Sequence, residues 1–308
     1  MLSALGQQIS VEGICIDKKG KPISEVKISD LSHDHLVTTT DSKGKFAFEA
    51  ALGDTLSLLF SQQVAAYLWI DSVTQKANKG AFFQLDNWDS ETYIDQFLDI
   101  SLRDVETPQT VQVCFDAPQQ SMMPIALYDR IKLDALHKAA FPFNPSTFLV
   151  HESFSSWQFY LGYAVPTTLF RKLENRFPAM KYRHTIKLLL NNYAGTDVAG
   201  ALYIQVGISQ LTLVLCRSGR LLFSGSFAYQ TEMDALFYLL RLADSHDLPT
   251  EGLEVYLSGL IDPSSRLFLE LSNYFLNLST ISSSIQFDSG LPSTNYFTLL
   301  SNNSLCVS

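Results

Sequence analysis

The sequence feature that most constrains the fold is a repeated order of predicted elements: three strands, a helix, a strand and a helix. In the C-terminal copy, a helix begins at the capping pattern Thr231–Asp234 and is followed by a buried strand at 253–257 and a second helix. Chance rarely repeats six elements with matching turns, so the repeat predicts an α/β chain with two similar halves. The three strands that open the C-terminal copy are predicted at 201–206, 210–216 and 220–229.

The N-terminal copy has the same order and is followed by two predicted strands at 147–150 and 158–165 and by a helix that Pro166 opens. Its first helix carries Ile94, Phe97 and Leu98 at helical spacing, which predicts one buried face. A later helix at 186–193 is predicted to cross to the second half of the chain. The repeat therefore predicts one subdomain over residues 55–195 and another over residues 196–308. The elements of the first copy are predicted as strands at 55–60, 64–70, 81–85 and 110–115 and helices at 91–102 and 129–141.

Residues 1–54 differ from the rest of the chain in their pattern of apolar and turn residues. Short β-rich runs separated by turn residues occur there without any helical period, which predicts a short all-β, sandwich-like segment. A competing interpretation assigns residues 98–102 and 110–113 to this segment as closing strands. The repeat is the better explanation, because it accounts for the helix and the following strand together.

Charge and cysteine content exclude several classes of protein. The chain of 308 residues has 22 Lys and Arg against 31 Asp and Glu, and a net charge of −9 disfavours binding to nucleic acid phosphates. No apolar run approaches the ~18 residues of a membrane-spanning helix. The four cysteines are scattered and no histidine stands near them at ligand spacing, so the sequence predicts no metal and no cofactor.

Residues 56–308 resemble the actin-like ATPase superfamily, in which two ribonuclease-H-like domains clasp a nucleotide. Three stretches carry a narrower resemblance: Phe223–Tyr229, Val255–Gly259 followed by Asp262, and Tyr296–Leu300 with Cys306. In these stretches the chain resembles an uncharacterised bacteroidete family, domain of unknown function 3822. The resemblance implies duplicated ribonuclease-H-like domains, each with the order βββαβα, and it brings no assigned reaction.

Residues 8–54 contain a spaced pattern of turn and apolar residues: Val11, Gly13, Asp17, Gly20, Pro22 and Val26, then Thr40, Asp41, Gly44, Phe46, Gly53 and Asp54. In this pattern the segment is similar to a second family, the carboxypeptidase-regulatory-like modules with a transthyretin-like sandwich. Such modules usually lie outside the cytoplasm, whereas the actin-like family is expected within it. The resemblance therefore implies an incomplete β module and keeps an envelope location open as the alternative to a cytoplasmic one.

The resemblance also implies where a nucleotide cleft would lie. Superfamily members hold phosphate between two hairpin turns that need small residues and an acidic residue for hydrated Mg²⁺. Here the expected aspartates fall on Gln205 and Thr212, and a neutral amide supplies no anionic charge to the metal. The cleft is thus predicted to be vestigial, without catalytic residues. Its candidate residues are Ser61, Gln62, Gln205, Gly207, Ser209, Ser258 and Gly259.

The remaining motifs add no chemistry. The sequence lacks a GxSxG elbow, an HExxH helix, a P-loop and a GxGxxG turn after a strand.

The sequence favours a non-catalytic actin-like scaffold with an unidentified protein partner. Self-association through exposed strand edges of the first segment is a further expectation. The alternatives are a divergent nucleotide-binding or small-ligand-binding protein, such as a sensor or weak ATPase, and an envelope-associated binding protein.

Overall fold

In a computed structural model of the protein, most strands after residue 54 belong to two mixed sheets, and these two sheets share the same strand order. The chain divides into two units, residues 1–54 and 55–308, which are described separately. The predicted boundary at residue 195 lies outside the described residues, and the division at that point remains a prediction. The structure describes residues 8–14, 17, 21–25, 27–30, 35–51, 54–71, 74, 76–103, 107–142, 144–193, 199–283, 285–288, 291 and 294–305.

The first unit contains two antiparallel strand pairs in its described part. Strand β1 (Gln8–Ile14) pairs with β4 (Lys45–Ala51), and β2 (Lys27–Asp30) pairs with β3 (His35–Thr39). The turn into β4 is held by Asp41, whose carboxylate accepts from two backbone N–H groups. The predicted β character is therefore present. The resemblance to regulatory-like modules stays a prediction, and three of its residues (Gly20, Val26 and Gly53) lie outside the described residues.

The first sheet of the second unit contains six strands among the described residues, in the order β12-β8-β5-β6-β7-β18. Strand β5 pairs antiparallel with β6 and parallel with β8, because a helical connection separates β5 from β8 whereas a tight turn joins β5 to β6. Apolar residues fill both faces of β5 and β6, as expected for strands covered on two sides. The strands are β5 (Thr55–Ser61), β6 (Val64–Asp71), β7 (Lys76–Gln84), β8 (Thr110–Asp116), β12 (Lys181–His184) and β18 (Gln286–Phe287).

The second sheet repeats the path of the first. Its described strands follow the order β17-β16-β13-β14-β15, with the same parallel and antiparallel pairings at corresponding positions. The α/β fold predicted from the sequence is confirmed, and the described strands of the two sheets follow the same order. The strands are β13 (Ala201–Val206), β14 (Gln210–Arg217), β15 (Arg220–Ala228), β16 (Glu254–Gly259) and β17 (Asn277–Thr280).

Each sheet carries a pair of packed helices in corresponding places. Helix α1 (Glu91–Ser101) packs against α3 (Thr167–Arg176), and α5 (Glu232–Ser245) packs against α6 (Arg266–Ser272). The predicted capping box at Thr231 is present, since its side chain accepts from the backbone of Asp234 while the Asp234 carboxylate accepts from Thr231 N–H. The competing assignment of residues 98–102 to a closing strand is wrong, because Leu98 lies in α1.

A small third sheet corrects the predicted place of one helix. The helix predicted at 129–141 forms as α2 (Arg130–Ala140), but it packs on a separate sheet of order β10-β11-β9 instead of completing the first repeat. Helix α3 takes the corresponding position in the first half. The inserted strands are β9 (Gln120–Pro124), β10 (Thr147–Phe154) and β11 (Phe159–Pro166).

Two helices lie between the two main sheets. Helix α4 (Thr185–Asn191) follows the first sheet and packs on β13 and β14, as predicted for a crossing helix. Helix α7 (Thr294–Leu305) follows the second sheet and packs on β5, β6 and β16. The hydroxyl of Ser57 in β5 donates to the carbonyl of Leu300 at 2.8 Å, which fixes this return of the chain.

None of the described helices combines the length and apolar character needed to cross a bilayer.

Candidate functional site

The first turns of the two main sheets meet each other. In the first sheet, the Ser61 hydroxyl accepts from Val64 N–H at 3.0 Å and closes the turn between β5 and β6. In the second sheet, Gly207 N–H donates to the Gln210 carbonyl at 2.8 Å. The Ser209 hydroxyl then donates to the side-chain oxygen of Gln63, so a hydrogen bond joins the two turns directly.

A small cavity of about 120 Å³ lies beside this bridge. Four of the residues predicted for the cleft line it: Ser61, Gln62, Gly207 and Ser209. Residues Ser226–Ala228 of β15 form another part of its wall. The cavity is thus built from both halves of the chain, at the place where the sequence predicted a cleft.

The other three predicted residues are held together next to the cavity wall. Gln205 and Ser258 face each other across β13 and β16, and the Ser258 hydroxyl donates to the Gln205 side-chain oxygen at 2.7 Å. Gly259 adopts φ +92°, and a Cβ at that position would overlap the carbonyl oxygen of Val206. The Gln205 side chain is therefore already hydrogen-bonded within the sheet. Position 259 needs glycine because a Cβ would overlap the backbone of β13.

Asp116 is the residue that sequence reasoning missed. It ends β8, lines the cavity and is only 3% exposed, and its Oδ1 accepts no hydrogen bond from any described residue. Burial raises the pKa of this carboxyl to about 6, although the hydroxyls of Thr212 and Thr185 act in the opposite direction. A usable signal existed, because an acidic residue directly follows a buried strand and ligands bind at the carboxyl ends of parallel strands.

A chain of polar side chains connects the cavity to the inserted sheet. Gln210 donates to the hydroxyl of Thr212 at 3.0 Å, and that hydroxyl is 2.9 Å from the hydroxyl of Ser226. Gln120, at the start of β9, donates to the Ser226 hydroxyl at 3.1 Å. These contacts fix the inserted sheet against the second half, so the cavity wall is rigidly supported on that side.

The chemistry available in the cavity is limited to one acid and neutral polar groups. Among the described residues that line it, Asp116 is the one with an ionisable side chain. No group of three or more His, Cys, Asp or Glu suited to a metal ion occurs in the described part of the chain. Cys114 and Cys216 are buried thiols, while Cys15 and Cys306 lie outside the described residues.

Two basic residues between positions 171 and 184 contact side chains of the first half. Lys172 contacts the carboxylate of Asp95 at 2.8 Å, which joins α3 to α1. Arg183 is buried and donates to the side chain of Gln112 at 3.2 Å. These two cations therefore hold elements of the first half together.

The fold is shared with solved structures of low sequence identity. A Bacteroides thetaiotaomicron protein with an actin-like ATPase fold and unknown function matches with a TM-score of 0.64 and 14% identity, over 80% of this chain and 95% of that one. The PilM–PilN type IV pilus biogenesis complex matches with a TM-score of 0.55 and 12% identity, over 82% of this chain and 97% of the other. These likenesses establish the actin-like fold.

A family match defines the relationship more narrowly. The search of curated proteins found no match. The model of a family described as "Protein of unknown function (DUF3822)" matches residues 44–278, which is more than half of the chain. The chain therefore belongs to the DUF3822 family and has the actin-like ATPase fold.

Proposed function

We propose that the protein is a non-catalytic, actin-like scaffold whose cleft does not hold a nucleotide. The observation that carries this proposal is the direct hydrogen bond between Ser209 and Gln63. It joins the two turns between which the phosphates of a nucleotide would have to lie. The remaining cavity of about 120 Å³ is well below the ~300–1,000 Å³ of ordinary small-molecule pockets. The space therefore suits neither a nucleoside triphosphate nor its hydrated metal.

The charges around the cavity support the same conclusion. Gln205 stands where the superfamily resemblance implies an aspartate, and its side chain is occupied by Ser258. The branched side chain of Ile208 lies in the second turn, where backbone N–H groups would have to approach a phosphate closely. Phosphoryl transfer depends almost wholly on positioning and electrostatics, so one buried carboxylate at Asp116 is a poor basis for it.

A nucleotide titration tests this part of the proposal. We expect no saturable binding of a fluorescent ATP analogue up to about 1 mM, with or without Mg²⁺, because the turns are bridged and the metal lacks anionic ligands. The measurement is fluorescence anisotropy of the full chain, with an unlabelled ATP competitor as the control for binding through the dye. Competable binding at micromolar concentrations would refute the scaffold proposal.

The inserted sheet supplies the surface that we assign to a protein partner. Leu127 is 66% exposed and lies beside Met122, Met123 and Leu136. Ile131, in the first turn of α2, is 79% exposed. Large side chains of this kind are rarely left together on the surface of a protein without an interaction role. The PilM–PilN structure is itself a complex, and for this chain we draw from it the expectation of a protein partner and nothing more specific.

Site-specific photo-crosslinking in cells tests the interaction surface. A photoreactive residue in place of Ile131 is expected to give an adduct of discrete mass, reduced at least fivefold by Leu127→Asp, because a charge would disrupt an apolar contact. The matched control places the same group at Leu269, which is 54% exposed on α6. Equal adducts at both positions would argue against a specific surface, and an adduct of twice the chain mass would assign the surface to self-association.

The compartment follows from the same proposal. An actin-like scaffold is expected in the cytoplasm, whereas a regulatory-like first segment would favour the envelope. Fractionation of cells with an antibody to the chain separates the two, since a periplasmic signal contradicts the cytoplasmic scaffold.

A further inference from the structure

A second cavity, of about 240 Å³, lies between helix α2 and the inserted sheet, and we call it the α2 cavity. Its apolar wall includes Phe141, Phe148 and Leu149, and its polar wall includes His137 and Lys138. It shares no lining residue with the cavity beside the bridged turns. A cavity of about 150 Å³ is enough to hold a benzene molecule. The α2 cavity therefore has room for one ring or branched chain together with a polar group.

His137 is buried, yet one of its two ring nitrogens has no partner in the described part of the protein. Nδ1 lies 3.1 Å from the hydroxyl of Ser121, whereas Nε2 forms no hydrogen bond with a described residue. The residue as a whole is 8% exposed. Among the described polar atoms that are fully enclosed and unpartnered, Nε2 of His137 does not occur, so this atom keeps accessible surface. Since His137 lines the α2 cavity, a ligand in the cavity can reach that nitrogen.

The contact with Ser121 determines which ring nitrogen of His137 carries the proton. Ser121 is 7% exposed, and its hydroxyl has no other hydrogen-bond partner among the described residues. A buried hydroxyl needs an acceptor for its proton, so it donates to Nδ1. Burial lowers the pKa of His137, although the Asp134 carboxylate acts in the opposite direction, and the ring is neutral near pH 7. The proton of the neutral ring is therefore on Nε2, which meets the cavity as an N–H donor.

The charges beside this donor favour an anionic ligand. Lys138 is exposed, lines the same cavity, and forms no ion pair with a described residue. Asp134 also lines the cavity, but its Oδ1 already lies 2.8 Å from Nε2 of His151. The hydroxyl of Tyr128 lies 3.0 Å from Nδ1 of His151 and completes that chain. The acid thus has its partner within the protein, whereas the ammonium group and the imidazole N–H have no acceptor among the described residues.

We propose that the α2 cavity binds a small carboxylic acid with an apolar body, of the class of benzoate, phenylacetate and isovalerate. The ligand carboxylate accepts from Nε2–H of His137 and faces the ammonium group of Lys138. The ring or branched chain of the ligand packs against the apolar wall. A carboxylate has two acceptor oxygens, which matches these two donors. The inference does not rest on the scaffold role.

Isothermal titration of the full chain at pH 7.5 tests the site. The probes are the sodium salts of benzoate, phenylacetate, 3-phenylpropanoate and isovalerate. We expect at least one acid to bind with a Kd of about 1 mM or tighter, which is within reach of a ligand of about ten non-hydrogen atoms. The alcohol of matching shape, such as 2-phenylethanol for phenylacetate, is expected to bind at least about tenfold more weakly, because it lacks the charge.

Two results of this titration would overturn the proposal. One is the absence of saturation by all four acids up to about 20 mM, and the other is equal affinity for an acid and its alcohol. L-phenylalanine, which adds an ammonium group to 3-phenylpropanoate, distinguishes two sources of the same carboxylate. Tighter binding of L-phenylalanine would support a site for apolar amino acids, and weaker binding would support a site for simple acids.

A pair of lysine variants makes the test specific without disturbing the core. Lys138→Glu is expected to weaken binding of the acid about fivefold, because it reverses a charge at the cavity wall. The control Lys132→Glu makes the same charge change at an exposed position of α2 outside this cavity, and it is expected to leave the Kd unchanged. Equal effects of the two variants would contradict the site.

Two variants of His137 test the hydrogen bond itself. His137→Phe removes the donor and is expected to weaken binding at least about tenfold, since hydrogen bonds to charged groups are among the stronger ones. His137→Gln keeps an N–H donor near the position of Nε2 and is expected to restore most of the affinity. Unchanged binding in His137→Phe would refute the assigned role, and the lysine pair decides the matter if that variant does not fold. Failure here would leave the nucleotide titration unaffected, so the two proposals fall separately.

Discussion

Replacing Asp116 with asparagine is expected to raise the free energy of unfolding at pH 8 by about 3 kcal/mol. The native pKa of about 6 lies roughly two units above the ordinary value of 3.8, and each unit is worth about 1.4 kcal/mol. The native state thus binds this proton more tightly than the unfolded state does. The wild-type chain therefore loses stability as the pH rises from about 4 through 6, and the variant does not.

Urea unfolding at pH 4, 6 and 8 measures this difference. The gain from Asp116→Asn is expected to be small at pH 4, where the wild-type carboxyl is already protonated in the native state, and full at pH 8. Asp262→Asn is the control, because hydrogen bonds from Ser264 lower the pKa of Asp262 and its removal should give no gain. A variant at Asp116 that is less stable than the wild type at pH 8 would contradict the burial argument.

Replacing Gly259 with alanine is expected to destabilise the protein by about 3 kcal/mol or more. Two costs add at this position: φ of +92°, which L-residues rarely adopt, and a Cβ that would lie 2.6 Å from Gln205 Nε2 and overlap the Val206 carbonyl. The backbone atoms of β13 and β16 are fixed by their pairing, so they cannot move aside cheaply. A loss of this size is a large part of the stability of a typical domain.

Gly219 provides a matched control for this variant. It also has a positive φ, of +77°, but a Cβ there would meet no atom within 4 Å. Gly219→Ala should therefore cost only about 1 kcal/mol, the conformational part of the penalty. The free energies of unfolding of both variants, measured by chemical denaturation, separate the cost of the positive φ from the cost of the Cβ overlap. Equal losses at the two glycines would show that the contact with Val206 is relieved by a shift of the strands.

The fold was predictable where elements recur with strong periodicity. The two sheets were expected from their hairpins and buried strands, and the capping box at Thr231 marked the start of α5 correctly. The inserted sheet was predicted in part: the strands expected at 147–150 and 158–165 form within β10 and β11. Strand β9 was missed, because its sequence QSMMP is short, ends in proline and shows no β-rich alternation. Without β9, helix α2 had no other partner and was assigned to the first repeat.

The candidate site was predictable in part for a similar reason. Turn residues such as Ser61 and Gly207 could be located from the hairpins that contain them. Asp116 belongs to no hairpin. Its place after a buried strand was visible in the sequence, but its burial and the unpartnered Oδ1 depend on tertiary packing. The hydrogen bond between Ser209 and Gln63 joins residues from different halves, so no local pattern could have indicated it.

The packing of α7 against the first sheet determines when, during synthesis, the protein can complete its folding. Residues 294–305 are translated long after β5, yet Ser57 of that strand hydrogen-bonds to both Leu300 and Asn303. Until the ribosome has delivered those residues, the apolar face of the first sheet stays uncovered in the nascent chain. Folding therefore finishes only after translation of the second half, and truncation before α7 would leave the first half as a target for chaperones and proteases.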